Sequence, residues 1–451
     1  MKLALAELLA PLAAEARGEA IFTAVTTDSR AITPGSLFVA LGGERFDGHA
    51  FVAQARAAGA AAALVSRWVD ADIPQLKVAD TLRGLQQLAN FWRQRFELPL
   101  VAVTGSNGKT TTKQLLAAVF AARGPVLATQ GNLNNHIGVP LTLLRLDETV
   151  RTAVIEMGAN HAGEIALLAQ IAQPDVGVIT QAGDAHLEGF GSREGVARAK
   201  GELFAALGAR GIAVINADDA YAPLWRQLAG PAAMLSFGLR SAADVHALDL
   251  QPQHDGGTRF TLCTPQGRAA VQLPLPGQHN VMNALAAAAC GVALALDTET
   301  IAQGLQQVQP PPGRLRWTTT TQGVRVLDDT YNANPSSLRA ALELLAQAEG
   351  RRWLALGDMA ELGGDAVQLH REAGVAARSL GVERLFASGP LAGEAAQAFG
   401  RGGEAYADAD ALIAALKPQL DNNITLLVKG SRSARMERVV AALTGAAAGE
   451  H

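Results

Sequence analysis

The chain has 451 residues, 49% of them hydrophobic and 18% charged, with a formal net charge of −4. This is too long for one hydrophobic core and too apolar for a disordered chain, so two or three folded domains are expected. The slightly acidic balance argues against a surface that coats nucleic acid, and leaves room for a local basic pocket around an anion. No segment approaches the ~20 apolar residues that span a bilayer, so no membrane insertion is expected and the protein is placed in the cytoplasm. Cys263 and Cys290 have no metal-ligand neighbours and read as buried reduced thiols rather than a disulfide.

At the start of the chain, Glu7 and Glu15 interrupt a modest apolar stretch, which reads as an amphipathic first helix rather than a signal peptide. Short strand-like runs follow at 37–41, 62–66 and 76–79, and 81–96 reads as a helix leading to Pro99. From Leu100, apolar runs at 100–103, 126–128, 153–155, 176–180 and 212–215 alternate with helix-length segments. That alternation predicts a mostly parallel sheet with helices on both faces. Runs at 245–250, 258–263 and 269–273 alternate in polarity and suggest an antiparallel edge, and the alanine-rich 280–296 suggests a buried helix.

The clearest linker is QPPPG at 309–313, because consecutive prolines cannot continue a helix. Beyond it, strand-helix alternation restarts at 324–327, 353–356, 384–387 and 424–428. The expected architecture is α/β in three domains: a small N-terminal α/β domain (1–83), a central domain with a P-loop-type, mostly parallel sheet (84–313), and a Rossmann-like C-terminal α/β domain (314–451).

The strand at 100–103 runs into Thr104-Gly105-Ser106-Asn107-Gly108-Lys109-Thr110-Thr111, followed by a helix-forming stretch at 113–122. Strand, glycine turn and helix together form the context of a phosphate loop: backbone N–H groups turn toward phosphate oxygens and the helix N-terminus adds partial positive charge. Lys109 would reach the terminal phosphates, and a following threonine hydroxyl would complete a Mg²⁺ shell. The general pattern wants a further glycine where Val103 stands.

The string TGSNGKTTT resembles the T-G-x-N-G-K-T-T loop of the Mur ligase family, which includes folylpolyglutamate synthetases. Other family-like strings follow in order: QGNLNN at 130–135 with Gly138-Val139-Pro140, EMGAN at 156–160, HLEGFGS at 186–192, GQHNVMN at 277–283, DDTYNANP at 328–335, GDM at 357–359 and KGSR at 429–432. EMGA and YNANP most resemble the members that append D-alanyl-D-alanine to a UDP-N-acetylmuramoyl-tripeptide. The resemblance runs from TDSR at 27–30 to Met436; Gln181 stands where the family more usually has Asn.

The resemblance implies an ATP-dependent, amide-forming ligase of peptidoglycan synthesis, acting as a monomer through an acyl phosphate and releasing ADP and phosphate. It implies nucleotide contacts from Gly105, Ser106, Asn107, Gly108, Lys109, Thr110 and Thr111, and two Mg²⁺ ions held through Thr110, Glu156, His186 and Lys200. Lys200, in an A-K-x-E-[LI]-F pattern on a helix over 194–207, would be carbamylated; read alone, it is a solvated helix lysine. Lys109, His186, Lys200 and Arg314 are the implied catalytic groups.

Asn280 and Asn283 read alone as a helix N-cap and a surface amide, and through the family as adenine contacts. Arg314 would reach the terminal phosphate, Asp329 and Tyr331 the ribose, and Asn332 and Asn334 the domain junction. Lys429, Ser431 and Arg432 would hold the carboxylate of the incoming dipeptide or of the substrate peptide; Asn134 and Asn135 also fall on the substrate side. Ser29, Arg30 and Asp47, with 43–49, resemble a uridine-diphosphate site, although Asp28 and Asp47 equally fit plain turns.

Two other readings compete. A sister ligase adding one amino acid, or a folylpolyglutamate synthetase, is disfavoured by YNANP and the UDP-site-like N-terminal region. A P-loop NTPase switch would need neither three ordered ligand domains nor the Lys200 pattern.

Overall fold

The computed structural model describes residues 1–43, 46–183, 187–253 and 256–445. The chain is α/β and builds three main sheets in succession. The first has five strands, in the spatial order Glu15–Arg17, Gln75–Lys77, Ala62–Val65, Ser36–Val39, Ala24–Thr26, with only Glu15–Arg17 antiparallel to its neighbour. Leu3, Leu5, Leu8 and Leu12 are buried, but through a short strand and the 3-10 turn Leu5–Leu8. The expected amphipathic first helix is therefore absent: Pro11 and Gly18 close off a span too short to nucleate a helix.

The central sheet has nine strands and starts from the order Val126–Ala128, Thr152–Glu156, Leu100–Thr104, Val176–Ile179, Ile212–Asn216, Ala233–Gly238, all parallel. Val245–Pro252 joins parallel to that edge, and only then do Thr258–Thr264 and Gly267–Leu273 add antiparallel strands. Leu100 through Val103 are wholly buried, as expected of a strand covered on both faces. The helix Lys109–Phe120 packs on Gln278–Ala293, whose Ala284 and Ala286–Ala289 are fully buried; small side chains let the two backbones approach closely.

The third sheet has six strands, in the order Arg316–Thr319, Arg325–Asp329, Ile424–Lys429, Arg351–Gly357, Arg384–Ser388, Gly403–Tyr406, antiparallel only at the first pair. One hydrophobic cluster runs from Leu37 and Leu64 through Leu85 and Leu88 into Leu100 and Ile155, so the first two sheets share a core. The helix Thr81–Arg93 is the tie, with the Arg93 guanidinium donating to Ala172 O and Phe96 O. The third sheet carries apolar clusters of its own. It meets the central sheet across a cleft of about 2190 Å³ lined by the C-terminal ends of strands from both, where open α/β sheets bind ligands.

Candidate active site

The phosphate loop lies between three supports. Ser106 N–H donates to Gln181 O at 2.9 Å, and Ser106 Oγ exchanges hydrogen bonds with Gly183. Thr180 Oγ1 donates to Asn107 O at 2.5 Å. Position 181 thus acts through its main-chain carbonyl, which explains why Gln can stand there in place of Asn. Gly105 (φ +146°) and Gly108 (φ +83°) are both in the left-handed half of backbone space, and a Cβ would overlap Thr180 Oγ1 at the first and the Asn283 amide at the second. Val103 is a buried strand residue pairing with Glu156 and Val178, so the turn begins at Gly105. The helix starts at Lys109, four residues earlier than its apolar pattern suggests.

Lys109 Nζ folds back onto Gly105 O (2.6 Å) and Ser106 O (3.3 Å), and burial pushes its ammonium pKa down. Thr110 Oγ1 donates to Glu156 Oε1 at 3.4 Å and accepts from Arg314 Nη2 at 3.2 Å. Arg314 stacks over the Tyr331 ring at 4.1 Å, and its buried Nε has no hydrogen-bond partner. A buried guanidinium N–H without an acceptor beside a phosphate loop suits a phosphate oxygen.

Glu156 is 2% exposed. Asn134 Nδ2 donates to it at 2.9 Å, and buried Lys113 Nζ lies 3.3 Å from its other oxygen. A buried carboxylate next to a phosphate-loop hydroxyl is a donor set that fits Mg²⁺ bridging to a nucleotide. Among the described residues no group of three or more His, Cys, Asp or Glu assembles into a metal site, and His186 lies outside the described residues.

Lys200 is fully buried on the helix Arg193–Ala205 rather than solvated. Its Nζ has Ala159 O at 3.4 Å and the Phe190 ring at 5.3 Å, and desolvation lowers its pKa to about 7. The helix is clamped by Trp225, whose Nε1–H donates to Ala197 O, while Glu202 accepts from Gly163 N and Ala166 N at the start of the neighbouring helix Glu164–Ala172. The A-K-x-E spacing thus turns the lysine inward and the glutamate outward to cap a neighbour.

The other side of the cleft is already hydrogen-bonded. Lys429 Nζ pairs with Asp329 and also donates to Asn332 O. Asn334 caps the helix Pro335–Leu345 and reaches Asn107 Oδ1 at 2.8 Å, and Asn107 Nδ2 donates to Ser336 Oγ at 2.8 Å. Ser431 donates to Asp358 O. On the central side, Asn280 Nδ2 is likewise spent on Pro276 O, while Asn283 Nδ2 donates to Asn280 Oδ1 and its own Oδ1 accepts from Thr112. Asn280, Asn283, Asp329, Tyr331, Asn332, Asn334, Ser431 and Arg432 all line the cleft. So does Asn135, whose Oδ1 caps the helix Gly138–Leu143.

Ser29 and Arg30 lie elsewhere, beside a second cavity of about 500 Å³ that is also lined by Phe38, Phe46 and Phe51. Asp28 accepts two hydrogen bonds from the exposed Arg30 guanidinium, which hold its carboxyl below the usual range. Asp47 accepts from Arg67 and from His49, whose Nε2 accepts Ser66 N–H. Glu44 and Arg45, within the same stretch, lie outside the described residues.

Sequence reasoning passed over Lys113, Thr180, Asn216 and Asp219. Asn216 Nδ2 donates to Thr180 O, and Asp219 accepts Ala182 N–H, so both brace the loop that supports Ser106. The available signal was a polar residue directly after a buried apolar run, repeated at the ends of two adjacent strands.

Three family models match in order: "Mur ligase family, catalytic domain" over 21–93, "Mur ligase middle domain" over 103–291 and "Mur ligase, glutamate ligase domain" over 313–432. The UDP-N-acetylmuramoyl-tripeptide–D-alanyl-D-alanine ligase of Escherichia coli (strain K12) is 47% identical, covering 93% of each chain, and the Bacillus subtilis (strain 168) protein of that name is 38% identical. A crystal structure of MurF from Acinetobacter baumannii superposes with a TM-score of 0.92 at 38% identity, covering 99% of both chains. MurF ligase from Thermotoga maritima in complex with ADP gives 0.82 at 29% identity, covering 94% of this chain and 97% of that one. The chain belongs to the Mur ligase family.

Proposed function

We propose that this protein uses ATP to join D-alanyl-D-alanine to the C-terminal carboxylate of a UDP-N-acetylmuramoyl-tripeptide, as a cytoplasmic monomer in peptidoglycan synthesis. The observation that carries this reading is likeness over almost the whole chain to ligases of that name, at up to 47% identity. In the reaction, the tripeptide carboxylate attacks the terminal phosphorus of ATP and ADP leaves. The dipeptide amine then attacks the carbonyl carbon of the acyl phosphate, phosphate leaves, and the amine proton passes to solvent.

Lys109, Arg314 and the loop amides of residues 105–111 hold the transferring phosphoryl group and spread its charge, which is the main catalytic demand of phosphoryl transfer. Thr110, Glu156, His186 and Lys200 would hold Mg²⁺, which neutralises phosphate charge when bound. A pKa near 7 leaves Lys200 substantially neutral at working pH, the form that adds CO₂ to become a carbamate. Asn280 and Asn283 face the adenine, Asp329 and Tyr331 the ribose, and the cavity by Ser29 and Arg30, together with Asp47, takes the uridine diphosphate. Residues 1–83 would carry that nucleotide-linked substrate, 84–313 the ATP, and 314–451 the dipeptide.

The test is phosphate release with UDP-N-acetylmuramoyl-tripeptides ending in meso-diaminopimelate or lysine, each with and without D-alanyl-D-alanine. Sustained release only when tripeptide and dipeptide are both present supports the reading. Equal release without the dipeptide points to an NTPase switch and sinks it.

A further inference from the structure

The buried carboxylate beside the phosphate loop has two oxygens in different surroundings. Glu156 Oε1 accepts from Asn134 Nδ2 at 2.9 Å and, at the longer distance of 3.4 Å, from Thr110 Oγ1. Oε2 is buried and accepts no hydrogen bond among the described residues; the group paired with it is the Lys113 ammonium, at 3.3 Å. Lys113 is itself buried, at 4% exposure. Taking an ammonium out of water is costly even against a carboxylate, so stability alone is a weak reason for such a pair.

The fold fixes the two partners separately. Glu156 ends the strand Thr152–Glu156, its N–H donates to Thr129 Oγ1 at 2.9 Å, and it stands in register with Val103, two residues before Gly105. Lys113 lies on the helix Lys109–Phe120, which packs on that strand, three residues after Thr110 and so on the same helix face. Lys109, one turn earlier, folds back onto Gly105 O and Ser106 O instead. The helix therefore presents a hydroxyl to one oxygen of Glu156 and an ammonium to the other. Thr110 and Glu156 line the cleft, while Lys113 stays outside its lining.

We propose that Lys113 makes Glu156 a one-oxygen metal ligand and so sets which divalent cation the nucleotide site accepts, favouring Mg²⁺ over the larger Ca²⁺. This rests on the reading above that Thr110 and Glu156 hold Mg²⁺. Ca²⁺ takes about 6–8 oxygens and readily uses both oxygens of a carboxylate. Mg²⁺ demands near-ideal octahedral geometry and is usually held by one or two carboxylates together with the substrate's phosphates. Oε1 keeps a lone pair beyond the one Asn134 takes, and it adjoins the Thr110 hydroxyl. With Oε2 engaged by an ammonium, a Ca²⁺ ion loses a ligand that a Mg²⁺ ion does not need. Lys113 is thus a positioning residue, which acts on the metal through the carboxylate.

The experiment is calorimetric titration of the full chain with ADP in magnesium chloride, in calcium chloride and without divalent cation, for wild type, K113M, K113R and E156Q. Wild type should bind ADP about 10-fold tighter with Mg²⁺ than with Ca²⁺, and K113M should narrow that ratio to about twofold, chiefly by gaining affinity with Ca²⁺. K113R keeps a cation against Oε2 and should hold the wild-type ratio to within about threefold. A lysine with only a structural role would lower both affinities together, and an unchanged ratio in K113M overturns the proposal. Wild type binding ADP equally well with either cation overturns it too, whether or not K113M folds. E156Q should lose the divalent dependence of ADP binding. If E156Q keeps that dependence in full, or wild type shows none, the metal assignment itself fails and this inference with it.

Discussion

The two sides of the cleft handle charge in opposite ways. On the central side, Lys109 bonds only to carbonyl oxygens, Lys200 has a carbonyl and an aromatic face, and Arg314 keeps a buried N–H without an acceptor. Burial lowers the pKa of both lysines. On the C-terminal side, Lys429 is buried against Asp329, and Ser431, Asn332 and Asn334 are tied into the backbone or into each other's loops. One side carries Lys109, Lys113, Lys200 and Arg314 around the single buried carboxylate of Glu156 and so keeps an excess of positive potential for a polyanion, and the other is neutralised in advance and keeps its shape. Removing a charge should therefore cost activity on the first side and stability on the second.

The largest effect falls on the central side. Lys109→Ala should lower turnover by about 10⁴-fold or more while the melting temperature holds or rises, because a buried ammonium whose desolvation outweighs its attraction to Glu156 is removed. Near-normal turnover would break the contrast. On the C-terminal side, Lys429→Ala should destabilise by about 3–5 kcal/mol in denaturant titration, since Asp329 is left buried and alone. Pairing it with Asp329→Leu should recover most of that loss. Lys200→Ala should reduce turnover by about 10²-fold and regain part of it with added short-chain carboxylates; loss without any rescue would argue against a carbamate there.

The smallest effect is a pH dependence at the seam. Half-buried His279 has a desolvated Nε2 without a partner, and faces Asp329, Lys429 and Glu343; desolvation lowers its pKa from 6.5 to about 4. Between those values the unfolded chain binds more protons than the folded one, so stability should fall as pH drops from about 6.5 to about 4. The loss should be about 2 kcal/mol, and His279→Asn should flatten it.

Much of this was legible in the sequence because buried parallel strands leave long apolar runs and glycine turns leave fixed spacings. The strand at Leu100–Thr104, the turn at Gly105 and the helix behind it are of that kind. Arg316–Thr319 and Gly403–Tyr406 were passed over because short edge strands carry too few buried positions to show a period, and Ala233–Gly238, an inner strand, because only its last two residues are buried. The start of the chain misled, since its leucine spacing suits a helix but is satisfied by a 3-10 turn packed on Phe22. Lys113 entered only as the start of a helix-forming stretch, and only the fold brings it to Glu156, 43 positions along the chain.

The central claim is that phosphate gripped by residues 105–111 is spent on making a bond, and its most direct test is stoichiometry. With ATP, UDP-tripeptide and D-alanyl-D-alanine all present, phosphate released and amide formed should rise together in a one-to-one ratio throughout the time course. Phosphate accumulating without the amide product would contradict the account.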